Sequence, residues 1–172
     1  STYFPWIDVD GNILTQSVSD DRTDATLSLV AAPVLGTPPN ASLLASWRER
    51  LWAVDRAEVD HARYSEAGQM WAWPSENDIL IGREGADARG ITAIMARRDA
   101  LGFGRRESLN QVTGTINNNF RSVVLSENVG VESQETVCIY KDTAYFLWKD
   151  GVYTWDQNGI KCISDTKVRS WF

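Results

Sequence analysis

The chain has one histidine, His61, and two cysteines, Cys138 and Cys162. A hydrolytic triad would need His61 beside a nucleophile, and triads assemble in space rather than along the chain. No Gly-x-Ser-x-Gly elbow or related signature accompanies it, so His61 is expected at a strand end or in a loop, without a catalytic role. Two thiols make neither a disulfide framework nor a four-ligand metal site. Both fall in β-prone runs near the C-terminus, where they are expected to pack as small hydrophobes. The alternative is a pair of neighbouring thiols open to oxidation.

Carboxylates are plentiful but poorly patterned. Asp8, Asp10, Gly11 and Asn12 match the start of a calcium loop, yet no bidentate Glu follows in register and the glycine is misplaced for an EF-hand. With Asp20, Asp21 and Asp24 they read as solvated turns. Carboxylate pairs for glycoside hydrolysis cannot be chosen without a fold-specific motif. The Ser-x-Asp-x-Gly-x-x-Trp box of sialidase propellers is not matched by Asp150-Gly151 with Trp155. No glycine loop for phosphate and no basic patch with interleaved aromatics occurs. No residue is assigned to catalysis, a cofactor or a metal.

Seventeen basic against twenty-three acidic side chains give a net charge of −6 over 172 residues. Such a surface repels phosphate, which argues against specific nucleic-acid binding. The apolar runs are far shorter than the ~20 residues of a membrane helix, and no basic n-region with an apolar h-region opens the chain. At 43% hydrophobic with eight Trp, the chain can build a real core.

The elements that would hold these residues are strands. Tyr145–Lys149 and Val152–Trp155 flank Asp150-Gly151, a tight-hairpin signal with positive φ expected at the turn. A second turn at Gln157-Asn158-Gly159 leads into Ile160–Ser164 and completes a meander. Phe146 and Trp148 take one face of its first strand and Tyr145 and Leu147 the other, so cover is expected on both sides. Upstream, Ile91–Arg98, Asp99, Ala100–Phe103 and Ser108–Val112 repeat the layout. Aligning Asp99 with Asp142 puts Phe103 on Phe146 and Val112 on Trp155, an offset of 43 residues. Ala45–Val54 is read as a strand opposed by Ala62–Ser65, and matching Leu51 to Leu101 gives an offset of 50. Repeats of this length made of short strands are the pattern of β-propellers.

The expected fold is therefore all-β, with antiparallel meanders forming the blades of an incomplete propeller. Residues 1–36 hold N-terminal strands or a partial blade, with a hairpin at Asp10-Gly11 and a strand near Ala25–Ala31. Residues 37–172 hold about three repeat units after the rigid Thr37-Pro38-Pro39-Asn40 connector. Trp71–Asn77 is expected as an ordered loop and Gly82–Gly90 as a polar one.

One ordered series of short motifs runs through residues 33–172: Pro38-Pro39-Asn40, Arg50-Leu51-Trp52, Tyr64-Ser65-Glu66-Ala67-Gly68, Trp73-Pro74, Ile79–Gly82, Ile91–Ile94, Asp99–Leu101, Asp150–Tyr153 and Ile163-Ser164. It resembles structural proteins of tailed bacteriophages with β-propeller-like repeats, of the podovirus tail nozzle or hub type. Trp52, Tyr64, Ser65, Gly68, Trp73, Pro74, Asp150, Gly151 and Trp155 are then structural-motif residues. The resemblance implies a non-enzymatic virion tail component, a nozzle, hub or adaptor: a homo-oligomeric ring around the DNA exit channel. Its partners would be a connector or adaptor and fibres, with DNA passing through during ejection and no membrane insertion. Such hubs are usually several hundred residues long, so the missing blades are expected from another part of the same gene product. The alternative is a receptor- or glycan-binding β-propeller domain; a propeller hydrolase ranks third, having no motif.

Overall fold

A computed structural model describes residues 6–7, 13–14, 36–82, 90–115 and 119–164. The chain divides into two compact units, Ser1–Ala32 and Pro33–Phe172. In the first, β1 (Trp6–Ile7) pairs antiparallel with β2 (Ile13–Leu14), flanking the Asp10-Gly11 position. Asp8, Asp10, Asp20, Asp21, Asp24 and the strand expected near Ala25–Ala31 lie outside the described residues.

The second unit is all-β. Its described strands form three four-stranded antiparallel meanders, each in simple chain order. Sheet I contains β3 (Ala41–Trp47), β4 (Arg50–Asp55), β5 (His61–Tyr64) and β6 (Asp78–Leu80). Sheet II contains β7 (Ile91–Ala96), β8 (Leu101–Arg105), β9 (Leu109–Thr113) and β10 (Arg121–Ser126). Sheet III contains β11 (Cys138–Tyr140), β12 (Thr143–Trp148), β13 (Gly151–Asp156) and β14 (Gly159–Cys162).

Two turns depart from the sequence reading. Ala45–Val54 is not one strand: the chain reverses at Arg48 and Glu49, both with positive φ (49° and 59°), and β3 pairs with β4. Lys141 and Asp142 repeat that geometry (46° and 62°) between β11 and β12. Charged residues rather than glycine take the positive φ there, with Arg48 over the Trp47 ring and Asp142 Oδ1 accepting the Arg98 N–H (2.7 Å), which hides both turns from a search for glycine. In the last meander the loop residues are Lys149 and Asp150, because Gly151 already pairs with Trp148. Glycine is needed at 151 because a Cβ would collide with the Ser164 hydroxyl.

The sheets stack face to face with sheet II in the middle. β3 lies beside β7, and β6 beside β10. Between sheets I and II sit Trp47, Trp52, Val54, Tyr64, Leu101 and Phe103, among others. Between sheets II and III sit Met95, Leu109, Phe146, Tyr153 and Trp155. Alternation along β8 explains the division, since successive strand residues face opposite ways: Leu101 and Phe103 meet sheet I, while on the other face Gly102 meets Trp155 of sheet III and Gly104 meets Val131 of the β10–β11 connection.

Register shows the sheets to be equivalent units. Ala53↔Arg63, Phe103↔Asn110 and Phe146↔Tyr153 are corresponding cross-strand pairs. The bulge between Ala41 and Leu43 recurs 50 residues on, between Ile91 and Ala93. At both bulges a hydroxyl closes the gap: Ser42 donates to the Val54 carbonyl (3.2 Å) and Thr92 to that of Gly104 (3.1 Å).

Candidate assembly surface

The motif residues fall into two groups separated by sheet II. Trp52 is fully buried and packs on Tyr64 (4.7 Å between ring centroids), Phe120 (5.0 Å) and Phe103 (6.3 Å). Burying rings of this size contributes roughly 1.5–3 kcal/mol each. Burial pushes the Tyr64 phenol above its ordinary range, with the Arg50 cation pulling the other way. Ser65 joins strands: its Oγ accepts the Leu51 N–H (3.0 Å) and its carbonyl accepts Arg50 Nη1 (2.6 Å).

Gly68, Trp73 and Pro74 build the loop between β5 and β6. Gly68 has a φ of 68° and donates its N–H to the Glu49 carbonyl (2.8 Å), tying the loop to the first hairpin. Trp73 is buried and its Nε1 donates to the Met70 carbonyl (2.9 Å); the Pro74 carbonyl accepts the Asn77 N–H (3.1 Å). The loop is ordered, as expected, and holds Trp71 in solvent at 64% exposure.

Asp150, Gly151 and Trp155 form the second group, on sheet III. Tyr153 donates its hydroxyl to Asp150 Oδ1 (2.8 Å). Burial first, and that hydrogen bond second, drive its phenol far above the ordinary range. Trp155 inserts against Gly102, where no side chain stands in its way.

Polar latches close each seam. Between sheets I and II, the buried Arg105 donates to Asp60 Oδ1 (2.6 Å) and to the Ile81 carbonyl (2.7 Å). Between II and III, the buried Arg97 lies 4.6 Å over the Trp155 ring and donates to the Asp142 carbonyl (2.7 Å). Trp148 Nε1 reaches the Arg106 carbonyl (2.9 Å), and Lys149 pairs with Glu107 at the same end. These arginines were missed in the sequence because each sits next to a turn, where a cation reads as solvated.

The outward surfaces differ in kind. On sheet III, Tyr145, Leu147 and Val152 stay half-buried and belong to neither core cluster. Cover on this second face, expected from the two-sided apolar pattern, is not provided by any described strand. The edge strand β10 of sheet II carries Val123 and Val124 at 52% and 46% exposure, and among the described residues no strand pairs with its outer side, an edge of the kind that recruits another chain. Cys138 is exposed on β11 and Cys162 half-buried on β14. They occupy opposite edges of sheet III, so only Cys162 packs as a small hydrophobe. His61 begins β5, the expected strand-end position.

Comparison with known proteins adds no relative: no protein-family model matches the chain, and no curated protein is significantly similar to it.

Proposed function

We propose that the chain is a non-enzymatic structural module of a bacteriophage tail, part of a nozzle, hub or adaptor ring around the DNA exit channel. The phage assignment rests on the motif series in residues 33–172. The single observation behind an assembly role is the stack of three equivalent four-stranded meanders, each laid on the next in the same sense. In this reading the meanders are propeller-like blades, and the stack grows by adding sheets of the same kind at its ends until it closes. The net charge of −6 suits a channel component past which DNA slides without being gripped. Partners are copies of the chain and neighbouring tail proteins.

Light scattering with native electrophoresis, on this chain and on the intact gene product, tests the reading. A discrete ring, or assembly only when flanking sequence is present, supports it. A well-behaved monomer at every concentration, 19.3 kDa for this chain and a single copy for the intact gene product, overturns it. One observation favours the second reading, receptor or glycan binding: the exposed indole of Trp71, next to the anchored Trp73, is a stacking surface for a sugar. Glycan-array binding abolished by Trp71→Ala would establish that role.

A further inference from the structure

Beside the seam between sheets I and II, Glu58, His61 and Asp78 converge on sheet I, with one potential ligand atom from each within 4.8 Å of the others. Local structure fixes all three. The Glu58 carbonyl accepts the His61 N–H (2.9 Å) across the turn between β4 and β5. In the register of β5 and β6, His61 pairs with Leu80 and Arg63 with Asp78. His61 and Asp78 are therefore diagonal neighbours on one face, and His61 Nδ1 lies 2.9 Å from Asp78 Oδ2.

A second, independent observation concerns the other oxygen of Asp78. Oδ1 is shut off from water and accepts no hydrogen bond, an uncommon and costly state for a carboxylate. Oδ2 is the oxygen that faces His61, and a cation held by both carboxylate oxygens would also satisfy Oδ1. Beside the group, an open cavity of about 250 Å³ is lined by residues that include Glu58 and His61, leaving room for water ligands. Asp60, which also lines it, is directed to Arg105 at 2.6 Å.

We propose that Glu58, His61 and Asp78 bind a divalent transition-metal ion of the Zn²⁺ type. An imidazole nitrogen with carboxylate oxygens suits Zn²⁺ or Mn²⁺, whereas Ca²⁺ and Mg²⁺ favour all-oxygen sets. Metal–ligand bonds of about 2.0–2.2 Å in a tetrahedron place ligand atoms about 3.3–3.6 Å apart, so the widest separation closes by about 1 Å when the ion binds, a movement within reach of the exposed Glu58 side chain. Three protein ligands leave a position for water. Arg63, opposite Asp78 in the register, opposes the cation and keeps the affinity moderate. The ion would pin β5 to β6 across the Ser65–Asn77 loop. The proposal is independent of the assembly reading.

Calorimetric titration of the chelator-stripped chain with ZnCl₂, MnCl₂ and CaCl₂ tests it, alongside thermal unfolding. One Zn²⁺ per chain is expected, with Tm raised by about 5–10 °C at a hundredfold excess over Kd. His61→Ala and Asp78→Asn should each weaken binding at least tenfold while the circular dichroism spectrum is kept. Glu58→Gln, at an exposed turn, provides the same test should either of those fail to fold. No binding up to millimolar Zn²⁺ overturns the proposal, as does binding unchanged in the variants. Ca²⁺ binding as tight as Zn²⁺ overturns the choice of metal. Variants that lower the metal-free Tm without any Zn²⁺ response reduce His61–Asp78 to a cross-strand ion pair, and the site falls.

Discussion

The packing of sheet III on sheet II makes a quantitative demand at one point. A methyl group at Gly102 would overlap Trp155 Cζ3 and lie 3.0 Å from Cη2 and 3.2 Å from Cε3. All three of these nearest atoms belong to one side chain, so the effect of Gly102→Ala depends on what stands at 155. Overpacking typically costs about 1–3 kcal/mol. Gly102 lacks a left-handed φ, so the alanine gains back about 0.4–1 kcal/mol by restricting the unfolded chain. The net expectation is a loss of about 1–2 kcal/mol. Trp155→Leu removes the indole, opens a gap, and forfeits the Arg97 contact at 4.6 Å; large-to-small changes of this kind cost about 2–4 kcal/mol. In that background the new methyl enters vacated space, and Gly102→Ala becomes neutral or mildly stabilising.

The double variant should therefore be more stable than the sum of the single changes by about 2 kcal/mol, well outside the ~0.5 kcal/mol scatter of independent sites. Urea unfolding at equilibrium measures it, read as midpoint shifts at constant m. Additivity within about 0.5 kcal/mol would refute the reasoning, because the glycine would then owe nothing to the tryptophan and the sheets would not meet in this register.

Two further expectations follow from the seams. Arg105→Met should cost about 1.5–3 kcal/mol by removing the 2.6 Å charge-assisted hydrogen bond to the largely buried Asp60, and Asp60→Leu in the same chain should recover part of it; a single-variant loss below about 1 kcal/mol in thermal melts would count against a working latch. The raised Tyr153 phenol makes stability fall with alkali: it is complete below the unfolded-state value of about 10 and is lost as pH climbs from there through the folded-state value, because only the unfolded chain deprotonates in that window. Tyr153→Phe should flatten the slope, and equal slopes in both proteins under denaturant titration would disprove the assignment.

The meanders were readable from sequence wherever a turn dipeptide separated two β-prone runs, as around Asp150. The 43-residue offset that set Phe103 on Phe146 agrees with the register, because cross-strand pairing keeps hairpin spacing fixed even when side chains diverge. What stayed hidden has physical causes. Arg48 and Glu49 turn the chain without glycine. The strand glycines Gly102 and Gly104 are poor β-formers by propensity and stand there because Trp155 of the next sheet and Val131 of the connection to it approach closely. The Glu58, His61 and Asp78 group comes together only through the β5–β6 register, and no short motif can encode a diagonal contact across a thirteen-residue loop.

That loop shows where the repeat departs from itself. Sheet III needs only Gln157 and Asn158 between its last two strands, whereas sheet I places Ser65–Asn77 between the corresponding pair. A meander gains nothing in pairing from eleven additional residues, and ordering them costs about 1–2 kcal/mol each in backbone entropy. The loop offsets that cost with its own hydrogen bonds and the buried Trp73 and Pro74. Such an investment, ending in a tryptophan held out in water, makes no sense as a connector. Scaffolds repeat and loops specialise: the hairpins of the three sheets supply the stack, and the β5–β6 loop is the part of sheet I that the stack does not require.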